Sequence, residues 1–256
     1  MSDAFFEVLS VGRFLATELT RGPWDPGLQH AGPPAALLGR AVEGHGDRAG
    51  LRVARMTFEI MRPLPIAELA VATRTLRGGR SVELVEAALR AGEVELMRTT
   101  ALRIRTAAGL ELPKELVPGP RLAGPEAGRV MPFFPTGQAV GYHTAMEVRF
   151  VAGSFREPGP ATAWMRMRHP LVPGETPSPL CRVLAAADSG NGISACLDYQ
   201  RWRFINPDLT VYLMRPPVGE WAATTAAAGI GLADTTLHDR QGPIGRAAQA
   251  LFVDRR

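Results

Sequence analysis

Apolar and polar residues alternate through Met56-Thr57-Phe58-Glu59-Ile60-Met61-Arg62-Pro63, and the run stops at a proline. The same pattern returns in Leu209-Thr210-Val211-Tyr212-Leu213-Met214-Arg215-Pro216, with Thr, Met, Arg and Pro repeated at a constant spacing of 153 residues. Period-two alternation predicts a strand with one face buried, and a proline ends it because it cannot donate to the ladder. A fixed-period echo of this length predicts two copies of one supersecondary unit.

The echo extends on both sides. Downstream, Gly92-Glu93-Val94-Glu95-Leu96-Met97-Arg98-Thr99-Thr100-Ala101-Leu102 resembles Gly242-Pro243-Ile244-Gly245-Arg246-Ala247-Ala248-Gln249-Ala250-Leu251 at a spacing of 149. A short deletion in the intervening turn accounts for the change, since turns tolerate it. Upstream, Pro34–Glu43 can be laid on Pro179–Asp188. Both stretches are rich in Ala and Leu and begin with proline, which suits the first turn of a helix. Each half then reads as a strand, one buried helix, and three or four more strands. This is an α+β chain with mostly antiparallel pairing. Two such units can pack sheet edge to sheet edge, which hides strands that would otherwise invite aggregation.

Between Thr106 and about Val140 the periodicity fails, and prolines and glycines crowd the interval. That density predicts an irregular surface connection. The expected organisation is a first repeat over residues 1–108, a linker over 109–143 and a second repeat over 144–256.

Bulk properties narrow the function classes. At 256 residues with 46% hydrophobic residues, the chain can bury a substantial core. The net charge is +4, and the basic residues are scattered, so no nucleic-acid-binding stripe is expected. Lys114 is the single lysine. The two cysteines, Cys181 and Cys196, make neither a disulfide framework nor a zinc site. No apolar run reaches the length of a membrane span, and the acidic start, Met1–Glu7, lacks the features of a secretory signal. A soluble cytoplasmic protein is the expectation.

Chemistry concentrates in a few places. Ala185-Ala186-Ala187-Asp188-Ser189-Gly190-Asn191-Gly192 puts a carboxylate at the end of an alanine-rich helix, where the helix dipole disfavours an anion. Apolar surroundings raise the basicity of such a group toward water. The plain alternative is a solvated acid. Gly190 and Gly192 permit a sharp exit and can present N–H groups to a ligand carbonyl. Gln249 shares the apolar face of its strand with Ala247, so its amide needs partners. It either holds a water or acyl oxygen or serves the backbone. Asn206, in Asn206-Pro207-Asp208, fits an ordinary turn, and Thr210 an ordinary strand facing away from Leu209 and Val211. His30-Ala31-Gly32-Pro33-Pro34 precedes the first helix, and small residues there can bind an anion or a carbonyl oxygen, making His30 and Gly32 candidates for substrate contact. Asp25 and His30 also have an Asp-x4-His spacing. No nucleophile elbow, phosphate loop or dinucleotide fingerprint is present.

These segments, together with Arg215-Pro216-Pro217-Val218-Gly219-Glu220-Trp221, resemble the double hot-dog acyl-CoA thioesterases of the bacterial thioesterase II type. The resemblance spans nearly the whole chain outside the linker. It implies two tandem hot-dog repeats, each a curved antiparallel sheet wrapped around a central helix. It also implies pairing into a homo-oligomer, a dimer of double hot-dogs, and hydrolysis of acyl-CoA with no metal or other cofactor. The family places an Asp on the second helix, a hydroxyl residue at the entry to the next strand and a Gln on a later strand around an activated water. Asp188 and Gln249 match the first and third. Asn206 stands where the hydroxyl residue belongs, and Thr210 lies four residues on, so the catalytic set implied is Asp188, Gln249, and Asn206 or Thr210. Two rivals are a hot-dog enoyl-CoA hydratase built on Asp25 and His30, and a non-catalytic acyl-CoA binder.

Overall fold

The computed structural model describes residues 3–46, 50–106, 121–131, 136–194 and 196–256. The chain opens with β1 (Phe6–Ser10), β2 (Arg13–Ala16), α1 (Gly32–Gly44) and β3 (Leu51–Ile60). It continues through β4 (Glu68–Arg77), β5 (Val82–Ala91), β6 (Val94–Arg105), β7 (Arg129–Val130) and α2 (Tyr142–Ala145). Next come β8 (Met146–Ser154), β9 (Glu157–Met167), α3 (Pro179–Ala187), α4 (Gly190–Ile193) and β10 (Trp202–Ile205). It ends with β11 (Asp208–Leu213), β12 (Ala222–Ala228), β13 (Leu232–Asp239), β14 (Gly242–Ala250) and β15 (Phe252–Arg255).

Among the described residues, thirteen strands join one sheet in the order β1-β2-β4-β5-β6-β3-β11-β14-β13-β12-β9-β8-β7. Every pairing is antiparallel, and β10 pairs separately with β15. The two echoed strands meet at the seam. β3 runs antiparallel to β11 with Thr57 directly opposite Thr210, Met56 opposite Val211 and Phe58 opposite Leu209. Met56, Phe58, Leu209 and Val211 are buried, so alternation sends Thr57 and Thr210 to the other face.

The helices form for the reasons their sequences suggest. Pro33 and Pro34 occupy the first turn of α1, and Pro179 opens α3 behind an N-cap. Ser178 Oγ accepts the Cys181 N–H at 3.1 Å and satisfies one orphan donor there. α3 is apolar apart from Arg182, and Leu180, Cys181, Val183 and Leu184 through Ala187 are buried, as expected for a helix with little solvent face. α1 packs on β4 and β5, α3 on β9, β12 and β13, and the two helices pack against each other. They run antiparallel. The end of α1 meets the start of α3, where Ser178 Oγ donates to Glu43 Oε2 at 2.5 Å. The start of α1 meets the end of α3, where a Cβ on Gly32 would collide with the Ala185 carbonyl oxygen. Only glycine permits that approach.

The expected linker carries more structure than its composition suggests. Residues 107–120 and 132–135 lie outside the described set. Within the rest, β7 adds an edge strand to β8, and Trp164 Nε1 donates to the Ala123 carbonyl at 2.7 Å. α2 then delivers a fully buried Tyr142 to the core. Proline and glycine content marks a loss of periodicity but not a loss of packing.

Candidate active site

The carboxylate of Asp188 stands at the C-cap of α3 and is 3% exposed. A buried carboxylate requires partners, and three side chains surround this one. Asn206 Nδ2 donates to Asp188 Oδ1 at 2.8 Å, and Gln249 Nε2 donates to the same oxygen at 3.1 Å. His30 Nδ1 lies 3.1 Å from the other oxygen, Oδ2. Gln249 Nε2 also reaches the Asp188 backbone carbonyl at 3.1 Å.

Each partner is fixed in turn. Gln249 lies on the inward face of β14, 1% exposed, and its Oε1 accepts the Asn191 N–H at 3.3 Å. Its amide group therefore bridges the end of α3 to the start of α4. Asn206, in the turn between β10 and β11, uses its second N–H on the Asp208 carbonyl at 3.0 Å. With both N–H groups of each amide engaged, Asn206 and Gln249 orient Asp188 rather than compete with it for protons. Gly190 packs so closely on β13 that a Cβ there would strike Thr235 Oγ1.

His30 approaches from the segment before α1. Its ring stacks on Tyr142 at 3.8 Å between centroids and 5° between planes. The Tyr142 hydroxyl donates to the Ala185 carbonyl at 2.7 Å and lies 2.8 Å from Ser189 Oγ, which anchors the stack to the end of α3. Burial pushes the His30 pKa below the usual imidazole value, against the opposing pull of Asp188, so the ring is held neutral. His30 Nδ1 also lies 3.1 Å from the Gly32 N–H. Accepting from Gly32 and donating to Asp188 are mutually exclusive, because one ring nitrogen carries either a proton or a lone pair. Burial raises the Tyr142 pKa far above the phenol range, so that hydroxyl stays protonated.

A cavity of about 310 Å³ opens over this cluster. Asp188, Asn191, Gly192, Asn206, His30 and Ala31 form its polar end. Trp24, Leu28, Met61, Leu64, Phe204 and Phe252 form apolar walls. Trp24 meets Phe204 edge-on at 5.4 Å, and the Tyr199 hydroxyl secures the neighbouring Pro23 carbonyl at 2.8 Å. A largely apolar cavity with a buried carboxylate in its lining suits a ligand with an alkyl tail and a polar reactive end. Among the described residues, no three His, Cys, Asp or Glu side chains gather as metal ligands.

The structure brings Asp188, Gln249, Asn206 and His30 together and leaves Thr210 out. Thr210 pairs with Thr57 and with the exposed Ala248 on the face away from the core, a consequence of strand parity. Gly192 lines the cavity; Gly190 and Gly32 do not, and both act through close packing. The carboxylate beside His30 is that of Asp188. Asp25 Oδ1 instead accepts the Gly27 N–H at 2.7 Å in a local turn. Tyr142, Ser189 and Asn191 were not anticipated. Asn191, between the two candidate glycines, carried a positional hint, whereas Tyr142 lies in the aperiodic segment and carried none.

Fold and site together define a hot-dog protein with a buried-acid centre. A family model for the acyl-CoA thioesterase N-terminal domain matches residues 20–104, and one for the acyl-CoA thioesterase C-terminal domain matches residues 125–253. The chain belongs to the acyl-CoA thioesterase family and is a thioester hydrolase. Among solved structures it is similar to a putative thioesterase II from Thermobifida fusca, at 19% identity and a TM-score of 0.72, covering 98% of this chain and 95% of that one. It is similar to a putative thioesterase from Novosphingobium aromaticivorans, at 16% identity and 0.68, covering 97% and 98%. It is also similar to an acyl-CoA thioesterase II from Mycobacterium marinum, at 14% identity and 0.65, covering 98% and 96%. No curated protein matches it in sequence. No helix among the described residues is long and apolar enough to cross a membrane.

Proposed function

We propose that the protein is a double hot-dog thioesterase in which Asp188 activates the water that hydrolyses an acyl-CoA thioester. The repeats are residues 1–108 and 144–256, joined by 109–143, and chains pair further into a cytoplasmic homo-oligomer. The β3–β11 seam and the antiparallel α1–α3 pair support the tandem reading, because both relate the halves by a common local two-fold.

The observation that carries the mechanism is the convergence of two amides and one imidazole on a single buried carboxylate. Asn206 and Gln249 hold Oδ1, which fixes the plane of the group. A water beside Asp188 gives its proton to the carboxylate as its oxygen attacks the thioester carbonyl carbon. The backbone N–H of Ala31, which lines the cavity just before α1, polarises the carbonyl oxygen as it becomes an oxyanion. The tetrahedral intermediate collapses, the C–S bond breaks, and CoA leaves as the thiolate. The proton on Asp188 then returns to solvent or to the departing sulfur. His30, held neutral by burial, places no positive charge beside the Asp188 carboxylate.

The test is thiol release from acyl-CoA esters of graded chain length with Asp188→Asn alongside. An Asn side chain can keep the contacts to Asn206 and Gln249, so fold and ester binding persist. Loss of a positioned base predicts a fall of about 10²–10⁴ in kcat. Undiminished turnover in that variant would refute the assignment. Protection of the protein by CoA esters with no thiol released from the parent enzyme would leave a binding protein instead.

A further inference from the structure

The local two-fold that relates the halves carries the active-site cavity onto a second one. Ile60–Leu64 line the first cavity, and Leu213–Pro217, each 153 residues on, line another of about 460 Å³. The first lies where the end of α3 meets the start of α1, and the second where the end of α1 meets the start of α3. Glu43 stands at the end of α1 as Asp188 stands at the end of α3, and it too lines its cavity.

The chemistry around the two acids differs. Val53 occupies the position equivalent to Asn206. In the sheet, Thr57 pairs with Thr100 as Thr210 pairs with Ala248, so Ala101 is the equivalent of Gln249. Glu43 thus lacks both orienting amides and instead accepts from Ser178 Oγ. Nothing there fixes a base toward a water. Cations have accumulated in their place: Arg52, Arg103, Arg105 and Arg215 line the cavity against the single acid Glu43. Arg103 is 1% exposed, is paired with Glu83 at 3.3 Å and donates to the His45 carbonyl at 3.0 Å, while Arg215 is tied to Asp239, which leaves Arg52 and Arg105 as the cations facing the cavity against Glu43. Arg52 and Arg105 are exposed at the rim. The walls are Leu51, Val53, Leu180, Leu213 and Met214.

We infer that this second cavity binds a free long-chain carboxylate without turning anything over, the alkyl chain against Leu180, Leu213 and Met214 and the carboxylate at the guanidinium groups of Arg52 and Arg105. The inference rests on the tandem-repeat reading and on charge complementarity. A net positive, apolar slot matches a fatty acid, the chemical product of the first site.

The experiment is a calorimetric titration of the full chain with dodecanoate, with the first cavity saturated by a non-hydrolysable thioether analogue of an acyl-CoA. One molar equivalent of dodecanoate still binds. Met214→Glu, at a position 62% exposed, and Arg105→Glu each weaken that binding tenfold or more, Arg105→Lys restores it, and thiol release from acyl-CoA stays within twofold throughout. The assignment is overturned if the analogue abolishes dodecanoate binding, if the analogue itself binds at two equivalents, or if both Glu variants bind like the parent. Those outcomes leave the hydrolytic reading untouched, whereas turnover unaffected by Asp188→Asn removes the hydrolytic reading alone.

Discussion

Replacing Asn206 by Asp probes the proposed base most directly. The change is isosteric and puts a second carboxylate where an amide nitrogen now lies 2.8 Å from Asp188 Oδ1. Two carboxylates this close cannot both ionise freely and will share a proton. Two unit charges about 4 Å apart repel by about 4 kcal/mol at an effective dielectric constant of about 20. At about 1.4 kcal/mol per pH unit this sets a ceiling of about three units on the upward shift of the base. Relaxation of the turn and solvent entering the cavity reduce it, so a displacement of about one to three units is expected. The acid limb of the kcat/KM profile should therefore move to higher pH, with activity recovering above the new limb. Asn206→Ala is the control. It removes one hydrogen bond to the ionised carboxylate without adding charge, so it lowers kcat across the profile and moves the limb up by less than Asn206→Asp does. An acid limb at the same pH in the parent and in Asn206→Asp would show that Asp188 is not the titrating base.

Other consequences are open to measurement. Gln249→Ala leaves the Asn191 N–H and one lone pair of Asp188 without their buried partner; it should destabilise by about 1–3 kcal/mol in denaturant titrations and lower kcat more than it raises KM. Gly190→Ala forces a methyl group into Thr235 Oγ1, an overpacking change of about 1–3 kcal/mol that Thr235→Ala should partly relieve. Burial pushes the Cys181 thiol up to about 12, so native protein should not modify there with a thiol reagent, whereas denatured protein should react at both cysteines. Burial alone would raise the Asp239 carboxyl, but Arg215 and the N–H groups of Gln241 and Val218 hold it below the usual range. A depressed folded pKa contributes stability that is present above the unfolded carboxylate value and is lost as pH falls through the folded one. Arg215→Met should thus cost about 3–5 kcal/mol at neutral pH and move acid unfolding to higher pH.

The sequence disclosed local regularities and left most distant contacts hidden. The echoed strands, the proline-led helices and the Ala-rich approach to Asp188 are patterns within a dozen residues, and each formed where its period predicted. That the echoes pair with each other across the seam follows from their shared polarity and unsatisfied edges. Strand parity also excluded Thr210 from the core face, and the structure keeps it on the other side. The grouping of Asp188 with Gln249 came from family resemblance, since 61 residues and several strands separate them. The His30–Tyr142 stack was out of reach. Its partners come from two segments without periodicity, and no local rule brings one ring over the other.

Thr57 facing Thr210 has one last implication. An interface of this kind between separate copies would come apart on dilution and would impose every substitution on both sides at once. Here a peptide chain tethers the two sides. Their mutual encounter no longer depends on how much protein a cell contains, and a change on one side is free of its mirror image on the other. On the proposed tandem reading, that liberty lets Asp188 hold the amides of Asn206 and Gln249 while Val53 and Ala101 stand at the matching positions beside Glu43.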